Sequence, residues 1–125
     1  MSKRVLVVND SFADRMILRD LLASLGYSVV GEAKDGQESL DKYKELQPDL
    51  VIVDVAMRDM DGPSTVRELT RIDPNAVILM CASQGQRVLA MESLQAGAKD
   101  FITKPINPRR LLKILTELLK ERMAA

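Results

Sequence analysis

Three apolar runs end on polar residues whose types could do ionic chemistry together. Leu50-Val51-Ile52-Val53 closes on Asp54, Val5-Leu6-Val7-Val8 leads into Asn9-Asp10, and Phe101-Ile102-Thr103 leads into Lys104-Pro105. Such runs read as strands buried on both faces. A carboxylate at the mouth of a buried strand is costly unless a cation, a hydrogen-bond network or a reaction holds it there. For Asp10 or Asp54 taken singly, a helix cap or a surface acid is the simpler reading. Two acids and a lysine, all at carboxyl ends of strands, suggest one shared site.

The elements that must position them alternate along the whole chain. Lys3–Val8 reads as a strand, and Ser11–Leu25 as a helix with Ser11 as N-cap, Asp14 three residues later and Gly26 at its end. Ser28–Ala33, Asp49–Val53, Ala76–Cys81 and Phe101–Thr103 are the remaining strands. Between them lie helices over Gly36–Leu46, Ser64–Ile72 and Arg87–Ala96, the last stopping at Gly97. Asn107-Pro108 reads as N-cap and first helical residue of Arg109–Arg122. Strands separated by helices argue for a parallel sheet covered on both faces. In such open sheets ligands bind beyond the carboxyl ends of the strands, where the winding reverses. Asp10, Asp54 and Lys104 are distant in sequence, and this topology is what could unite them.

Composition narrows the chemistry. The 125 residues suit a single domain, 1–125, with no repeat, linker or left-over output segment. The formal net charge is zero, so no global field recruits nucleic acid or an anionic membrane. No apolar run approaches the ~20 residues that span a bilayer, and Met1-Ser2-Lys3-Arg4 leads straight into a strand, so a cytoplasmic protein is expected. The initiating Met and polar ends suit a complete chain, with excision from a longer protein left open. Cys81 is the one cysteine and reads as a plain buried thiol. There is no histidine at all, which excludes a Ser-His-Asp triad, an imidazole ligand and a histidine base. Any phosphohistidine in its chemistry must belong to a partner.

With Val-Val-Asn-Asp-Ser at 7–11, Val-Asp-Val-Ala-Met at 53–57, Asp-Met-Asp-Gly at 59–62, Ala-Gly-Ala-Lys-Asp-Phe-Ile at 96–102 and Thr-Lys-Pro at 103–105, the chain resembles the response-regulator receiver domains of two-component signalling, of the CheY-like single-domain type. The resemblance implies a flavodoxin-like doubly wound (βα)5 sandwich whose five-stranded parallel sheet has the order 2-1-3-4-5. It implies that Asp54 is the phosphoacceptor, taking a phosphoryl group from a sensor histidine kinase or a histidine phosphotransfer protein. Mg2+ (or Mn2+) would be held by Asp10, Asp54 and the backbone carbonyl of Ala56, with Asn9 reaching it through a water. Lys104 would neutralise phosphoryl oxygens, and the Lys104–Pro105 bond would be cis. Such a protein is no enzyme beyond self-catalysed acceptance and hydrolysis of its phosphate. Its output is a change in contacts of the fourth-helix, fifth-strand and fifth-helix face with a downstream protein, as a monomer or weak dimer.

Three departures bear on that expectation. Asn9 stands where the family carries an acid; one charge at about 5 Å and an effective dielectric near 20 contributes roughly 3 kcal/mol, so weaker Mg2+ binding is expected. Ala82 stands where the family has the serine or threonine that bonds a phosphoryl oxygen, with a hydroxyl one place later at Ser83. Neighbouring strand residues face opposite ways, so Ser83 needs a bulge or an early strand end to turn inward. Arg58 replaces a proline and reads as an exposed loop residue, or else as a cation beside the site. Phe101 aligns with the aromatic switch position, and could equally be static core. Asn9 and Ala82 keep alive an alternative: a degenerate receiver acting as a phosphorylation-independent interaction module. Asp59-Met60-Asp61-Gly62 opens like a calcium loop, but Thr70 at its twelfth place makes it a polar turn. Arg109, Arg110, Lys113, Lys120 and Arg122 give the last helix a basic side, solvated or facing an acidic partner.

Overall fold

The computed structural model describes residues 2–124, the last four by their backbone only, so the Arg122 side chain lies outside the described residues. The elements are β1 (Arg4–Val8), α1 (Phe12–Ser24), β2 (Ser28–Ala33), α2 (Gly36–Leu46), β3 (Leu50–Asp54), α3 (Gly62–Ile72), β4 (Ile78–Ala82), α4 (Arg87–Ala96), β5 (Asp100–Thr103) and α5 (Pro108–Ala124). All strands pair in parallel in one five-stranded sheet of order β2-β1-β3-β4-β5. This is the doubly wound order expected from the sequence.

Strand alternation sorts the core into two layers. Leu6, Val8, Val51, Val53, Ile78 and Met80 face one side and pack on Leu40, Tyr43, Val66, Leu69 and Ala90 of α2, α3 and α4. Val5, Val7, Leu50, Ile52, Leu79 and Ile102 face the other and meet Leu18 and Leu22 of α1 with Leu111 and Leu115 of α5. Each fully buried aliphatic side chain contributes roughly 2 kcal/mol through lost water contact. The central strands are apolar throughout because both their faces are covered.

Local signals set most boundaries. Ser11 Oγ accepts the Asp14 N–H at 3.2 Å to open α1, and Gly26, at φ 92, provides the left-handed turn after it. Asn107 Oδ1 accepts the Arg110 N–H at 3.1 Å to open α5. Two starts differ from the sequence reading by two residues, and others by one. α3 begins at Gly62 rather than Ser64, because the cap is Asp61, whose Oδ1 accepts the Ser64 N–H at 2.9 Å. β4 begins at Ile78 rather than Ala76, because the Ala76 N–H is turned back onto the Asp73 carbonyl at 3.0 Å. Winding reverses between β1 and β3, so Asp10 and Asp54 flank the crevice where the two halves diverge.

Candidate functional site

Asp54 is the last residue of β3 and is only 6% exposed. Lys104, carried in by the turn after β5, places Nζ 2.6 Å from Asp54 Oδ1. Its own backbone is fixed by the Lys104 N–H donating to the Ala82 carbonyl at 2.8 Å, and the Lys104–Pro105 bond is cis. The ion pair is close but bent, and buried Oδ1 has no well-directed hydrogen-bond donor among the described residues. Burial pushes the Asp54 carboxyl above its ordinary value; the Lys104 ammonium opposes this, while Asp10 and Asp14 add repulsion. For Lys104, burial pulls downward, but the carboxylate of Asp54 outweighs it and the net shift is upward. A buried carboxylate is thus paired with an ammonium on one side at the carboxyl end of the sheet.

The β1–α1 loop brings Asp10 and Asn9 to the same end of the sheet. Asp10 is exposed and near enough to act on Asp54 electrostatically. Asn9 is buried and serves as a brace: its Oδ1 accepts the Ser11 N–H at 2.8 Å, and its carbonyl accepts Arg15 Nη1 at 2.7 Å. Arg15 is anchored in turn by Glu32 of β2 at 3.1 Å. A water held by Asn9 would therefore share an oxygen already committed to the loop. Asp14 is a residue that sequence reasoning missed at this site. Its Oδ2 lies 4.0 Å from Lys104 Nζ. The available signal was its place in the first turn of α1, just beyond Asp10.

The switch positions are arranged differently from one another. Ala82 ends β4, is fully buried, and lies in the same layer as Val53 and Met80, with half-buried Phe101 packed against it. The β4–β5 ladder runs regularly from Leu79↔Asp100 to Ala82↔Thr103, so the bulge that could turn Ser83 inward is not formed. Ser83 instead enters a turn in which its N–H donates to Gln86 Oε1 at 2.8 Å and its carbonyl accepts the Gln86 N–H at 3.1 Å. Among the described residues no hydrogen bond joins the Ser83 hydroxyl to Asp54 or Lys104. Arg58 is exposed and forms no ion pair among the described residues.

The Asp-Met-Asp-Gly turn has a structural use. Asp59 reaches α2 and accepts the Gly36 and Gln37 N–H groups at 3.1 and 3.2 Å, while Asp61 caps α3. Slight burial works against the Asp59 charge, yet these donors hold its carboxyl below the ordinary value. Both acids are spent on helix N-termini, where negative charge is favoured. Beside the site, a cleft of about 330 Å³ runs between α1 and the β5–α5 turn, lined by Ile17, Leu18, Leu21, Cys81 and Ile106. The Cys81 thiol is pushed up to about 12 by burial and by neighbouring Asp54, which leaves it an inert core group.

What could this site hold? Among the described residues no three His, Cys, Asp or Glu side chains gather into a metal cage. Two carboxylates, Asp10 and Asp54, share the crevice, and no backbone N–H is bonded to the Ala56 carbonyl among the described residues. Few, hard, partly unsatisfied oxygens suit Mg2+, which keeps several waters and completes its octahedron with phosphate oxygens.

The chain is similar to known proteins over most of its length. The family model for the response regulator receiver domain matches residues 5–116. The chain is 46% identical over 120 residues to the chemotaxis protein CheY of Thermotoga maritima, covering 96% of this chain and 100% of that one. It is 42% identical over 119 residues to the chemotaxis protein CheY of Bacillus subtilis, covering 95% and 99%. The crystal structure of a CheX–CheY complex with BeF3 and Mg2+ from Borrelia burgdorferi is similar at a TM-score of 0.86 and 31% identity, covering 93% of this chain and 88% of that one.

Proposed function

The chain belongs to the response regulator receiver domain family, and on that premise we propose that Asp54 accepts a phosphoryl group from the phosphohistidine of a partner kinase or phosphotransfer protein. The observation that carries this reading is the buried Asp54 carboxylate, with an oxygen short of donors 2.6 Å from Lys104. An Asp54 oxygen attacks phosphorus, the P–N bond to the partner's imidazole breaks, and that ring keeps the electron pair. Water later attacks the same phosphorus and restores the carboxylate, releasing phosphate. Lys104 supplies a fixed positive charge to the phosphoryl oxygens. Asp10, Asp54 and the Ala56 carbonyl would hold Mg2+, which when bound neutralises charge on the transferred group. Asn9 orients the loop, and its amide would be available to a water on that ion.

Receiver domains are signalling modules, and the output of this one is proposed to be altered protein contact. Val88 and Met91 of α4 and Leu112 of α5 are exposed at 70%, 42% and 40%. They suit docking by a downstream protein. No helix among the described residues is long and apolar enough to cross a membrane; action in the cytoplasm, as a monomer or weak dimer, is part of this proposal. The test is to incubate the full chain with Mg2+ and acetyl phosphate and record its intact mass. One phosphoryl adduct is expected, absent from Asp54→Ala. No Asp54-dependent adduct sinks the reading.

Ala82 favours a second reading, a receiver that binds partners regardless of phosphorylation, because no hydroxyl stands at the end of β4. The two are separated by Ala82→Thr. In the first reading it strengthens the amide-shift response of the α4 and β5 residues to beryllofluoride; in the second it changes nothing. A response that Ser83→Ala abolishes and Ala82→Thr leaves alone would make Ser83 the working hydroxyl.

A further inference from the structure

Lys104 stands between two carboxylates. Its Nζ lies 2.6 Å from Asp54 Oδ1 on one side and 4.0 Å from Asp14 Oδ2 on the other. A cation bound at Asp54 would compete with this ammonium for the carboxylate's charge. Withdrawal from a lone carboxylate would strand a partly buried charge. Asp14, half-exposed at the rim of the cleft, offers that charge a second partner. The β1–α1 loop contributes one acid, Asp10, because Asn9 is neutral and its Oδ1 already accepts the Ser11 N–H. Asp14 brings a second negative charge to the same crevice from the next turn of chain.

We propose that Asp14 is a positioning residue of this site, a second anion that steadies Lys104 when Asp54 engages a cation and that supplies the charge Asn9 lacks. The proposal rests on the metal reading above. Asp14 Oδ2 faces Lys104 Nζ at 4.0 Å and acts on Asp54 by charge alone, so the effect travels through Lys104 and through space. The backbone N–H of Asp14 serves the Ser11 cap, and side-chain substitution leaves that bond in place.

The test titrates the full chain with Mg2+ alone, followed by backbone amide shifts, with melting curves to confirm folding. Asp14→Asn is expected to weaken Mg2+ binding about three-fold, the effect of one partly screened charge acting across the site. Asp14→Glu keeps near-parental affinity, and Asn9→Asp added to Asp14→Asn restores it. Asp20→Asn, an exposed acid on the same helix outside ion-pair distance of Lys104, leaves affinity unchanged. Unchanged binding in Asp14→Asn, an equal loss in Asp20→Asn, or no restoration by Asn9→Asp overturns the proposal alone. Parental affinity in Asp10→Asn overturns the metal reading and this proposal with it.

Discussion

In metal-free buffer at neutral pH, Asp54→Ala melts at a higher temperature than the parent while losing all phosphoryl acceptance. The carboxylate is 6% exposed, and its burial outweighs the help it receives from Lys104. Removing it takes an under-solvated charge out of the fold. Lys104 is not stranded by the change, since its side chain keeps 28% exposure and has Asp14 nearby. The gain is on the order of 1–2 kcal/mol, or roughly 5 °C. The pH dependence gives a sharper check. With its carboxyl raised above 3.8, folded Asp54 holds its proton more readily than unfolded Asp54 does. Wild-type stability is therefore spared the penalty below 3.8 and declines as pH climbs through the raised folded value. The gap in melting temperature between variant and parent should be smallest below that window and full above it. A parent that melts at or above the variant's temperature at neutral pH would mean that the Lys104 pair, not burial, decides the balance.

The same physics explains what could be read from the sequence. Asp10, Asp54 and Lys104 were visible because continuous apolar runs end abruptly in polar residues, and a parallel sheet brings such ends together. Alternation of strands and helices argued for a parallel sheet covered on both faces, while the order of its strands was implied by the family resemblance. Asp14 was hidden, because in sequence it is only an acid in the first turn of a helix, and its partner Lys104 arrives from the far end of the chain. Ser83 could not be decided from the pattern of the strand. Its fate rests on a regular ladder to Ala82↔Thr103 and on a Gln86 side chain that takes its N–H. Asn9 read as a weakened metal contact, while the fold adds a structural task that depends on Arg15 and Glu32. Asp59 read as turn polarity, yet it caps a helix from another loop, a contact that exists only once α2 and α3 pack. Local chemistry was legible, and cross-loop bracing was not.

Gly62→Ala is expected to cost about 3 kcal/mol and to disturb Mg2+ binding, although the residue touches neither Asp54 nor Lys104. The reason is space rather than backbone conformation. A Cβ on Gly62 would stand 2.7 Å from Val55 Cα, 2.9 Å from the Val55 carbonyl oxygen and 2.9 Å from Met80 Cε. Met80 can shift its methyl, but Val55 is backbone, fully buried, and tied down by the Gly62 N–H at 2.8 Å and by its own N–H to the Cys81 carbonyl at 3.0 Å. Something must open, and the nearest movable segment is the loop from Val55 to Asp61. That loop carries the Ala56 carbonyl and Asp59, which caps α2. Gly36 provides the comparison. Its added Cβ would meet Thr65 Oγ1 at 2.7 Å, and Met60 Cβ and Sδ at 2.8 and 3.0 Å, none of them a main-chain atom. Urea denaturation should therefore rank Gly62→Ala below Gly36→Ala, and both below the parent. Mg2+ titration should show the larger loss of affinity for Gly62→Ala. A Gly62→Ala protein with the parent's denaturation midpoint would show that this turn yields more easily than its contacts allow, and that the Ala56 carbonyl is not held by the packing beneath it.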